Sequence, residues 1–174
     1  NSSFINCVNN VNITGMVNNL GGIAAVAEGS SFEDCLNTAH INSSKTDGYV
    51  GGIVALSSEN TFETCKNQGY VQGMSTAGGI ISKVTKGSYL KDCTNEGTVE
   101  GSGYTGGIAG SIPIVYSEEK TRLTGCSNSE RGTVRGTGSY SGGIAGIAGN
   151  MSVLKNCFNS GLLDSQAGYA GGVA

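Results

Sequence analysis

Proline occurs once in this chain, at Pro113, and histidine once, at His40. The first scarcity excludes a collagen-like chain or a proline-rich linker. The second means that any Ser-His or Cys-His catalytic arrangement would depend on His40 alone, and His40 reads as a surface residue beside Ile41. Charge is scarce too: charged residues make up 13% of the 174, and the net charge is −3. The ten Lys and Arg residues are scattered, whereas nucleic-acid binding needs a basic stripe; no nucleic-acid partner is expected. No run approaches the ~18 apolar residues of a membrane span, so no membrane insertion is expected. The chain opens in mid-pattern on Asn1, without an initiator Met, and closes in mid-pattern on Gly171-Gly172-Val173-Ala174. Residues 1–174 are therefore expected to be a single repeat domain cut from a longer protein, with targeting segments elsewhere.

What is abundant is glycine, 30 residues of 174, well above background. It is not scattered. Cys7, Cys35, Cys65, Cys93, Cys126 and Cys157 are each followed two residues later by Asn9, Asn37, Asn67, Asn95, Asn128 and Asn159, and each cysteine is later followed by a glycine pair, first Gly21-Gly22 and last Gly171-Gly172. One unit of about 29 residues is thus written six times, and such a period means a solenoid, a propeller or an array. Three residues before each cysteine stand Phe4, Phe32, Phe62, Leu90, Leu123 and Leu154. Further columns are Ile13, Ile41, Val71, Val99, Val134 and Leu163, and the Ile or Val that follows each glycine pair.

Between these anchors the local period is two, which marks strands. Glycine interrupts every candidate helix. The Phe/Leu column lies an odd three residues from cysteine, so a corner or bulge must separate them if both point inward. Each unit reads as about three short strands. Stacked in register at ~4.8 Å per rung, the units predict an all-β, parallel β-solenoid (a β-helix) of about six coils, right-handed by the general crossover preference. No single coil outweighs its own chain entropy, but a stack can. The glycine pairs suit either a close approach of opposing walls or a backbone turn with φ > 0. A propeller blade would need ~40–45 residues.

Six cysteines in an exported chain would ordinarily suggest disulfides. Stacked side by side, their Cβ atoms would lie ~4.8 Å apart, beyond disulfide reach, which favours a reduced internal ladder over some disulfides. Zinc needs four ligands converging on a point, whereas a ladder spreads them along a line; no metal or other cofactor is expected. The asparagine column marks a turn, and stacked amides can also bond one another.

Several features are candidates for function. Tyr49, Tyr104, Tyr140 and Tyr169 all stand two residues before a glycine pair, with Asn19 and Thr76 in the other units. Facing outward, they suit a sugar or a protein partner; facing inward, they are packing. An insertion at 111–122 carries Pro113 and the pair Glu118-Glu119, and a smaller one lies at Ser129–Gly132; insertions in solenoids often project from the binding face. Glu33 and Glu63 share a column and could form a carboxylate pair on neighbouring coils, but Lys91, Thr124 and Lys155 continue that column as ordinary surface. Four Asn-x-Ser/Thr matches begin at Asn1, Asn12, Asn42 and Asn150 and carry meaning only in a eukaryotic secretory source.

The stretch from Cys93 to Gly110 (CTNEGTVEG…GYTGGIAG) and the stretch from Gly142 to Gly146 (GGIAG) resemble the GLUG-type repeats of bacterial surface proteins, which occur in IgA-cleaving peptidases, adhesins and large cell-wall proteins. The chain departs from that motif near Leu56 and Ser82. The resemblance implies an extracellular or cell-surface, non-catalytic stalk or adhesive segment, with a host or matrix glycan or protein as partner. The alternative reading is a polysaccharide lyase or glycosidase using the Glu33/Glu63 face. An ice-binding solenoid would want regular Thr-x-Thr columns, and none runs through the units. Open strand edges at both ends would favour end-to-end self-association.

Overall fold

The computed structural model describes residues 1–113, 120–150, 152–166 and 168–174. These residues form a parallel β-solenoid with no helix. The third unit gives the pattern of a coil: strands Thr61–Glu63, Lys66–Asn67, Tyr70–Gly73, Thr76–Gly78 and Ile81–Lys86. Equivalent strands of successive units pair side by side, so the rod has five sheets, four of six strands and one of five. Among the described strand pairs register is kept residue for residue apart from one shift between Ser57 and Ser58, where Ser57 lies opposite Val84 and Ser58 opposite Lys86. In the first sheet Phe4, Phe32, Phe62, Leu90, Leu123 and Leu154 lie opposite one another.

Five strands per coil replace the three expected, and the reason is a corner that no single residue type marks. The residue before each cysteine is left-handed: Asn6, Asp34, Thr64, Asp92, Gly125 and Asn156 have φ between 51° and 66°. This one residue turns the chain, so that Phe62 and Cys65, an odd step apart, are both fully buried. A strand of only two residues follows, Lys66–Asn67 in the third coil. The asparagine then closes the next turn, because its Nδ2 donates to the carbonyl two residues on, as from Asn67 to Gly69 at 3.2 Å.

The same amides bond along the rod. Asn9 donates to Asn37, Asn37 to Asn67, Asn67 to Asn95 and Asn95 to Asn128 at 2.8 Å each, and Asn128 donates to Asn159 at 2.7 Å. The sequence separations of 28 to 33 residues absorb the insertions without breaking the row. Asn37, Asn67, Asn95 and Asn128 are fully buried, so every ladder bond satisfies groups that water cannot reach.

The glycine pair is required by close approach, not by a left-handed turn, since none of its members has positive φ. A Cβ on Gly79 would lie 2.1 Å from the Gly107 carbonyl oxygen and 2.7 Å from Asn95 Oδ1. The amide ladder therefore runs against a bare glycine wall. On one side of this waist lies a large apolar cluster of the Phe/Leu and cysteine columns with Ile53, Ile80, Ile108 and Ile144. On the other lies a smaller one built on Ile41, Val71 and Val99 with Leu20, Val50 and Ala77. Phe4, Phe32 and Phe62 stack face to face at 4.6 and 4.8 Å, one rung apart.

All six cysteines are unpaired, and Cys35, Cys65, Cys93 and Cys126 are fully buried. Cys35 Sγ lies 3.4 Å from the Phe4 carbonyl of the previous coil, and Cys65 Sγ 3.5 Å from that of Phe32. Burial pushes the Cys93 thiol well above its ordinary range. Pairing of Val54, Ile81, Ala109 and Ala145 puts Ala55, not Leu56, in the column of Ser82, Gly110 and Gly146. The Ser82 hydroxyl donates to the Thr76 carbonyl at 2.7 Å.

Candidate functional site: the tyrosine column and its cleft

The fourth sheet carries Asn19, Tyr49, Thr76, Tyr104, Tyr140 and Tyr169 in one column, with Tyr49 opposite Thr76 and Tyr104 opposite Tyr140. Alternation buries the residue after Tyr49, Tyr104 and Tyr140, namely Val50, Thr105 and Ser141, and leaves the tyrosines at the surface. Tyr104 and Tyr140 are partly exposed and Tyr169 is 67% exposed. Their rings stack on one another, at 5.4 Å and 19° for Tyr104 on Tyr140 and 4.9 Å and 12° for Tyr140 on Tyr169.

Stacking has a chemical consequence. Sugar rings bind aromatic faces, and inside this stack the faces are already used on one another. The strip presents ring edges and hydroxyls outward. The face of Tyr104 that looks toward the third coil is different: its neighbour in the column is Thr76, not a ring.

That substitution opens a cleft of about 230 Å³ between Tyr49 and Tyr104. Thr76, Ser111 and Lys83 from the fifth sheet, and Asp47 are among the residues that line it. The Lys83 Nζ donates to the Tyr49 hydroxyl at 3.1 Å and lies 4.8 Å from the centre of that ring. The ammonium therefore lies over the hydroxyl end of the Tyr49 ring, as part of the lining of the cleft. Asp47 is bonded to Lys45 at 3.3 Å. A shallower hollow of about 570 Å³ is lined by Glu59, Tyr89, Lys120 and Arg122.

The other candidates are placed as follows. Glu33 and Glu63 stand in neighbouring strands, with Lys91 next in the column. Lys91 forms an ion pair with Glu63, and that carboxylate raises the Lys91 pKa. Both glutamates are exposed, so this is a charge-compensated surface column, without the burial that tunes a catalytic acid. Glu118 and Glu119 lie outside the described residues. In the smaller insertion Gly132 N donates to the Ser129 carbonyl at 2.8 Å, and Glu130 and Arg131 are exposed. His40 is exposed and meets Tyr70 edge-on at 5.5 Å. Among the described residues no group of three or more His, Cys, Asp or Glu is placed to hold a metal ion.

Two functional-looking groups escaped sequence reasoning. Lys83 reaches Tyr49 from 34 residues away, and no motif marks it. Tyr70 donates to Glu100 at 2.6 Å; burial first, and the Glu100 carboxylate second, push its pKa up to about 12.

Compared by sequence, the chain matches no protein-family model and no curated protein. By structure it is similar to a crystal structure described as a "putative immunoglobulin A1 protease" from Bacteroides ovatus, with TM-score 0.68 and 16% identity. The match covers 99% of this chain and 66% of that one, so the chain spans just under two thirds of its neighbour's length. At that identity the likeness establishes the fold, a parallel β-solenoid.

Proposed function

We propose that this chain is a non-catalytic structural repeat segment of a secreted or cell-surface bacterial protein, a rod that presents one side face to a ligand. The observation that carries the reading is the unbroken amide ladder from Asn9 to Asn159. Its buried amides join each coil to the next while closing a turn within their own, and they specify a stiff stack over the full run of units. The neighbour from Bacteroides ovatus, described as a "putative immunoglobulin A1 protease", supports a place within a longer extracellular protein. The GLUG-type resemblance of Cys93–Gly110 supports the same placement. On this reading the chemistry of any such protease resides outside these units, and a host or matrix glycan or protein meets the tyrosine-bearing side.

The test is a paired assay on the folded chain. Incubation with a broad panel of polysaccharides and with immunoglobulin A1 should release no reducing ends, unsaturated sugars or peptide fragments. Immobilised matrix glycans and proteins should retain the chain, and retention should fall when Tyr104, Tyr140 and Tyr169 are changed to serine. Product release abolished by Glu63→Gln would overturn the reading in favour of an enzyme.

A further inference from the structure

We propose that the cleft between Tyr49 and Tyr104 is a binding site for one carboxylate-bearing sugar ring, such as a hexuronic acid. The inference rests on the ligand-presenting reading above and names the ligand class and the position on the face.

The argument starts from spacing. Tyr49 and Tyr104 are two rungs apart in one column, with Thr76 between them. Two rungs are ~9.6 Å. A saturated six-membered ring in contact with an aromatic face on each side needs ~4 Å per contact, ~8 Å in all. The gap thus takes one ring and not two. Where tyrosines occupy consecutive rungs, at Tyr104, Tyr140 and Tyr169, the rings close on each other at 4.9 to 5.4 Å and leave no such gap. The single break in the column is what creates the site.

The lining supplies the polar selection. Lys83 holds its ammonium over the hydroxyl end of the Tyr49 ring through one hydrogen bond to that hydroxyl. An ammonium has three donors, so two remain for a carboxylate, and a charge-assisted bond is the strong kind. The Ser111 and Thr76 side chains line the cleft from two different sheets. Asp47, the one acid in the lining, is paired with Lys45 at 3.3 Å, which offsets its repulsion of an incoming anion. The open face of Tyr104, the Tyr49 ring with a cation over its hydroxyl end, and the Thr76 and Ser111 side chains match a C–H face, the carboxylate and the hydroxyls of a uronic acid.

The experiment is an amide-resolved NMR titration of the whole chain with D-galacturonate, D-glucuronate and N-acetylneuraminate, alongside D-galactose and D-glucose. The expected result is saturable shifts centred on Thr76, Lys83 and Tyr104, with the neutral sugars at least tenfold weaker. Lys83→Gln should bring the acidic sugars down to the level of the neutral ones. Thr76→Tyr should abolish binding while leaving the fold intact, because it fills the gap with the ring that the column carries in four of its six units. Binding unchanged in Thr76→Tyr would overturn the proposal, as would an absence of shifts at Tyr104 with every sugar. Sugar-induced shifts confined to Tyr140 and Tyr169 would also overturn it, yet leave the presenting face standing. Enzymatic turnover in the preceding assay would instead remove the reading beneath it.

Discussion

Replacing Asn67 by alanine tests whether buried amides, as well as apolar columns, hold the coils together. Asn67 is fully buried. It accepts from Asn37 at 2.8 Å, donates to Asn95 at 2.8 Å and donates to the Gly69 carbonyl at 3.2 Å. Alanine removes all three bonds and takes this donor from Asn95 Oδ1 and the Gly69 carbonyl where water does not reach. Each stranded buried group costs ~1–3 kcal/mol. Asn37 Nδ2 keeps its second bond, to Ala39 at 3.0 Å, so the total should fall at roughly 3–6 kcal/mol. Asn9→Ala is the comparison. Asn9 is only partly buried and makes one ladder bond, so its loss should cost about 1 kcal/mol. The assay is urea unfolding followed by far-UV circular dichroism, read as the shift in midpoint at constant slope. Because coils interact mainly with their neighbours, Asn67→Ala should also separate the melting of the two halves of the rod. If Asn67→Ala costs no more than Asn9→Ala, the ladder is incidental and the reasoning fails.

The other predictions concern the glycine wall, the left-handed corner and one tyrosine. Gly79→Ala places a methyl 2.1 Å from a backbone oxygen and 2.7 Å from Asn95 Oδ1; it should cost ~3 kcal/mol or more in the same unfolding assay, and a near-neutral effect would contradict the close approach. Thr64 is a β-branched residue at φ 51°, where Asn6 and Asn156 serve in other units; Thr64→Asn should raise stability by ~0.5–1 kcal/mol, and destabilisation would count against the corner. Tyr70 should titrate near pH 12 by ultraviolet absorbance, and that step should vanish in Tyr70→Phe. Its pKa is raised on folding, so the stability it contributes is complete below pH ~10 and is lost as pH climbs through its folded value of about 12. Tyr70→Phe should flatten the alkaline limb of the stability profile, and an unchanged limb would refute the assignment.

The stacking was legible because the same residue types return at the same places. Cys7 to Cys157, Asn9 to Asn159 and the glycine pairs repeat with little variation, so columns could be read before any coordinates. The number of strands was not legible, for a physical reason. The left-handed corner is met by Asn, Asp, Thr and Gly alike, and the strand after it is two residues long, too short to show alternation. In the sequence the asparagines look mainly like turn residues. They close the turn and also bond along the rod, because an amide has two donor hydrogens and one carbonyl to spend. The tyrosine column was visible in the sequence, but not the use of its faces, which depends on rings stacking at 4.9 to 5.4 Å. Lys83 stands in a column with Val26, Leu56, Ser111 and Ile147, and nothing in that mixture announces a cation beside Tyr49.

In-register pairing of successive coils can be measured directly by NMR couplings carried through hydrogen bonds. The amide after each cysteine should donate to the carbonyl of the cysteine one coil earlier: Leu36 to Cys7, Lys66 to Cys35, Thr94 to Cys65, Ser127 to Cys93 and Phe158 to Cys126, at 2.8 to 3.1 Å. Five nitrogen-to-carbonyl couplings joining those pairs are the predicted result. Couplings that join residues within one unit, or that pair the cysteines out of step, would contradict the account.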